Sequence, residues 1–96
     1  MAHVDDYINK LEIKGLKKST FTTDAGLPLI CYVVEPSSPD ITSNVMLYGH
    51  LDKQPYGEGW LTGPTDPVIK GDCMYGRGSS DDGYSAFTCM LAVKTG

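Results

Sequence analysis

The chain has 96 residues, a formal net charge of −4 and 21% charged residues, a length that suits one domain or part of one. Its 41% hydrophobic content is that of an ordinary globular chain, with a thin margin of stability at this size. No basic stripe marks a nucleic-acid surface, and no apolar run approaches the roughly 20 residues needed to cross a bilayer.

The three cysteines, Cys31, Cys73 and Cys89, are odd in number and form no Cys-x-x-Cys. A disulfide framework is therefore not expected, and a reducing compartment is. Cys31 and Cys89 sit in apolar runs and read as small buried hydrophobes. Charges at Asp5, Asp6, Lys10, Glu12 and Lys14 leave no apolar signal-peptide core. The expectation is a cytoplasmic chain.

Val4, Tyr7, Ile8 and Leu11 share one helical face, predicting an amphipathic helix over about 3–14, stopped by Gly15. His3 reads as a solvated residue at the helix start. Ser19–Thr23 and Leu27–Val34 are strand-like around Asp24-Ala25-Gly26, predicting a hairpin over about 19–35. Pro36–Asp40 is a loop. Val45-Met46-Leu47-Tyr48 is apolar on both faces, as for a strand covered on both sides.

The segment 45–83 carries the chemistry. Gly49 permits a tight turn before His50-Leu51-Asp52. Residues 53–67 are rich in Gly, Pro and Asp, with Trp60 as the one large apolar anchor; it either pins the loop or lines a cleft. Gly71-Asp72 is a hairpin turn signal between 68–70 and 73–75. Gly76–Asp82 then leads into a helix over about 82–94 through Ala86, Phe87, Met90 and Leu91.

His50 and Asp81 are ordinary ligands for a divalent metal. Asp52, two residues after His50, is placed to orient the imidazole. Asp81 and Asp82 fall at a helix N-terminus, where the dipole favours the ionised carboxylate that ligation requires. From the sequence alone, either of the two acts as the helix cap.

Other chemistries fit less well. Gly76-x-Gly78 begins a dinucleotide fingerprint, but Asp81 stands where the third glycine belongs, and two carboxylates would repel a pyrophosphate. A P-loop is absent. A Ser79 or Ser80 triad with His50 and Asp52 lacks the nucleophile elbow.

From about Val45 to Lys94 the chain resembles zinc metallopeptidase family 20, which contains cytosolic and carnosine dipeptidases, glutamate carboxypeptidases and N-acyl-amino-acid deacylases. Gly49-His50-Leu51-Asp52 and Tyr75–Asp82 match its two motifs, and Gln54-Pro55, Gly59-Trp60 and Pro64–Pro67 look like the dipeptidase branch. The resemblance implies an α/β fold, a mixed sheet with flanking helices, forming the N-terminal portion of a di-zinc exopeptidase catalytic domain. It implies that His50 binds one of two Zn2+ ions, that Asp81 bridges both, that Asp52 supports His50 and that Asp82 caps the helix. Manganese or cobalt also suits such ligands. Gly83-Tyr84-Ser85 departs from the Lys-Gly that follows the paired aspartates in many relatives, which leaves substrate preference open.

The implied reaction is metal-dependent hydrolysis of a peptide or amide bond in a dipeptide, a peptide end or an N-acyl amino acid. Relatives often dimerise through an inserted domain, so a homodimer is implied for the complete protein. They also place a glutamate general base and further ligands beyond this point, and no glutamate follows Asp81 here. The chain is therefore expected to be a fragment, inactive alone, of a protein several times longer. The alternative is a non-catalytic fragment or pseudoenzyme that acts as a binding module. Arg77 is expected either to be structural or to pair with a carboxylate.

Overall fold

The computed structural model describes all 96 residues, which form two compact units. One comprises Glu12–Val45; the other comprises Met1–Leu11 with Met46–Gly96.

The second unit opens with α1, Ala2–Lys10. Val4 and Ile8 are buried from one face, Ile8 to 2% exposure. Asp5 in the first turn and Lys10 in the last complement the helix dipole. The helix ends well short of residue 14, because Glu12 takes a left-handed φ of 49° that helical geometry does not admit.

In the Glu12–Val45 unit, β1 (Leu16–Thr22) pairs antiparallel with β2 (Pro28–Val34), Leu16 opposite Val34 and Thr22 opposite Pro28. Thr23 closes the turn: its carbonyl accepts from Gly26 N–H at 2.8 Å, and its hydroxyl accepts from Leu27 N–H at 3.1 Å. The first strand starts three residues before the expected Ser19. Lys17 and Lys18 are poor strand formers, but pairing with Val33 and Tyr32 overrides that preference. Lys17 also meets Glu35 at 3.8 Å, an exposed ion pair of little energetic weight.

In the other unit, β3 (Val68–Lys70) and β4 (Cys73–Tyr75) form a second antiparallel hairpin, and α2 spans Ser85–Thr95. Met90 is buried, and the Phe87 ring meets Tyr7 edge-on at 5.0 Å, which ties α2 to α1. The three thiols are free; Cys31 and Cys89 are half-buried rather than buried, and Cys73 is exposed.

The chain is thus an α/β fragment with two helices and two separate two-stranded sheets. The expected covered strand at 45–48 is not formed. Met46 is 88% exposed and Tyr48 77%, and the run pairs with no strand. The physical reason is that a buried strand needs hydrogen-bonded neighbours and apolar cover on its faces. The four strands present pair as two separate hairpins, neither of which the run joins, and no apolar layer covers it. No helix is long and apolar enough to cross a membrane.

Candidate metal centre

The two chemical runs meet at the start of α2. Gly49 lies against that turn: a Cβ there would collide with the Ser85 hydroxyl and come within 3.3 Å of the Ala86 nitrogen. Only glycine lets the chain approach this closely. Gly78 turns the second run with a φ of +86°, in the left-handed region.

Through this contact His50 and Asp81 face each other, His50 Nε2 lying 3.6 Å from Asp81 Oδ1. On the other side of the ring, Nδ1 lies 3.3 Å from both the Asp52 carboxylate and the Asp52 carbonyl oxygen. In the tautomer that carries its proton on Nδ1, either of those acceptors can take it, and the Nε2 lone pair then faces Asp81. A lone pair and a carboxylate repel unless a proton or a cation lies between them. Two donors on one tetrahedral zinc, with bonds of about 2.0–2.1 Å, stand about 3.3 Å apart. The observed 3.6 Å is close to that separation, so the donor pair fits a divalent metal. No cluster of three or more His, Cys, Asp or Glu side chains converges to hold a metal ion. The contacts present are those of His50 with Asp81 on one side of the ring and with Asp52 on the other.

Asp82 is turned to a different task. Its Oδ1 accepts from Gly83 N–H at 2.6 Å and from Ser85 N–H at 3.3 Å, closing the turn into α2. The Ser85 hydroxyl is buried and makes no well-formed hydrogen bond, yet its closeness is the largest influence holding the Asp82 carboxyl below its ordinary range. The two N–H groups and the nearby His50 act in the same direction, against partial desolvation.

Arg77 makes structural bonds. Its Nη2 donates to the carbonyls of Pro55 at 2.8 Å and Tyr56 at 2.7 Å, and its guanidinium stacks on Trp60 at 5.1 Å. Trp60 Nε1 donates to the same Tyr56 carbonyl at 2.6 Å. Trp60 therefore pins the loop, and with Tyr56, Tyr75 and Arg77 it also borders an open cleft of about 430 Å³. The sequence assigns no contact to Lys53 or to Ser85, although Lys53 lies against Gly78 and Gly83 and Ser85 against Gly49. A lysine after His-x-Asp, or a serine in a helix's first turn, has no motif of its own.

Residues 46–95, which hold both runs, match the model of peptidase family M20/M25/M40. The chain belongs to that family. Among its relatives, a succinyl-diaminopimelate desuccinylase from Sulfurovum sp. (strain NBC37-1) is 49% identical over 90 residues, 92% of this chain and 19% of that protein. A desuccinylase of the same name from Helicobacter hepaticus is 31% identical over 93 residues, covering 93% and 21%. Another from Erythrobacter litoralis is 40% identical over 53 residues, covering 55% and 14%. The chain thus spans between about a seventh and a fifth of these family members. No solved structure matches it.

Proposed function

We propose that this chain is the first metal-binding segment of a longer metal-dependent amidohydrolase, and that its substrate is an N-acyl amino acid of the succinylated kind. The observation that carries this reading is the pair of donors, His50 Nε2 and Asp81 Oδ1, facing each other at 3.6 Å from two separate family motifs. The names of the relatives favour deacylation over dipeptide or peptide-end cleavage. His50 and Asp81 hold a divalent cation, with zinc first in line and manganese or cobalt able to replace it. Asp52 fixes the imidazole tautomer and orientation. When bound, the metal supplies carbonyl polarisation and a more acidic water. The general base such a reaction needs would be a glutamate outside these 96 residues.

In the longer protein the Val45–Tyr48 run takes its place in a mixed sheet with helices flanking it. The whole enzyme acts in the cytoplasm as a homodimer. A second reading, a binding module without catalysis, draws on the fact that only two donors converge. Desuccinylase turnover by the longer protein, abolished by Glu→Gln at its base, excludes that reading.

The site is tested by zinc titration of the 96-residue chain, followed at the His50 imidazole by nitrogen-detected NMR. The expected result is weak binding that His50→Ala and Asp81→Ala reduce by about tenfold or more, with a smaller loss for Asp52→Ala. Equal affinity in all four proteins overturns the ligand assignment. Measured turnover by this chain alone, abolished by chelation, overturns its dependence on an outside base.

A further inference from the structure

Lys53 follows the first chemical run and belongs to neither donor. Its Nζ donates to the Leu51 carbonyl at 2.9 Å, the peptide between His50 and Asp52. Its stem crosses to the second run and fills space that two glycines leave empty. A Cβ on Gly78 would run into Lys53 Cε and come within 3.0 Å of Cδ. A Cβ on Gly83 would lie 3.2 Å from Nζ and 3.6 Å from Cε. These two glycines bracket the turn Ser79–Asp82, which carries Asp81.

We propose that Lys53 is a positioning residue, a tie that sets the separation of His50 and Asp81 by anchoring the Leu51 peptide to the turn between Gly78 and Gly83. The proposal rests on the metal-site reading above and deepens it. A lysine free in solvent retains its full rotamer freedom. Here the side chain is held along its length, the ammonium on a carbonyl and beside Gly83, and the outer methylenes beside Gly78.

The sign of one effect separates this role from simple electrostatics. An ammonium beside a cation site repels the cation, so removing a bystander lysine tightens metal binding. Removing a tie weakens it, because the two donors no longer stand ready at a common point.

The experiment uses the 96-residue chain and Zn2+ as the probe. Contacts between the Lys53 methylenes and the α-protons of Gly78 and Gly83 are expected in the NMR spectrum; their absence overturns the proposal. Lys53→Ala is expected to weaken zinc binding at the His50 ring by about tenfold, the low end for groups that support a metal ligand. Lys53→Met keeps the stem and is expected to fall between that variant and the parent. Unchanged or tighter binding in Lys53→Ala overturns the tie. A cycle with Gly83→Ala reads the same contact without metal. The thermal midpoint is expected to drop in the parent and to drop less in the Lys53→Ala background, whereas equal drops overturn the proposal. If zinc leaves the parent His50 ring unmoved, the metal-site reading falls, and this cycle still decides whether Lys53 holds the turn.

Discussion

At the scale of single residues, the site depends on atoms that are missing as much as on those present. Gly49→Ala pushes a methyl into Ser85 and Ala86. It is expected to cost about 1–3 kcal/mol in chemical denaturation, as overpacking usually does. Ser85→Ala in the same chain is expected to return part of that loss by removing the hydroxyl nearest the new methyl. Arg77→Ala removes two bonds to loop carbonyls and the stacking on Trp60. Trp60 emission is expected to shift to the red and loop amides 53–60 to exchange faster, while stability falls by only about 1–2 kcal/mol because the site is partly wet. An unshifted spectrum in Arg77→Ala shows that Trp60 holds its place unaided. His50 and Asp81 could be singled out from the sequence because each stands in a short glycine-marked run, and it was the family resemblance that paired them. Lys53 was not, because its partners are a carbonyl and the bare faces of two glycines, groups that every chain contains.

At the scale of elements, local pattern and long-range pairing divide the outcome. The i, i+3, i+4 spacing in α1 places Val4 and Ile8 inward, as the periodicity predicts. Ile8→Ala removes the most buried side chain and is expected to cost about 2–4 kcal/mol, enough to abolish a cooperative thermal transition in so small a unit. A cooperative melt that survives the substitution locates the core elsewhere. The start of β1 at Leu16 and the end of α1 at Lys10 were not legible. The first depends on cross-strand partners some 15 residues away, and the second on a left-handed Glu12 that no propensity announces. The run 45–48 shows the other limit: its residues carry strand preference, but preference is not a partner.

At the scale of the whole molecule, the chain exposes more large hydrophobic residues than it buries. Leu61 is 98% exposed and Met46 88%. Val4, Ile8 and Met90 are the only buried hydrophobic residues. The 96-residue chain is expected to enhance the fluorescence of an apolar dye strongly. A signal no higher than that of a well-packed domain of the same size shows that this surface is covered in solution.

The uncovered run at 45–48 also bears on survival in a cell. An apolar stretch with free backbone donors and acceptors is the pattern by which quality-control machinery recognises unfinished chains. A chain that leaves such a stretch bare would live as long as something shields it. The half-life of the 96-residue chain, followed after a pulse of label, should be short and should lengthen when charged residues replace Met46 and Tyr48.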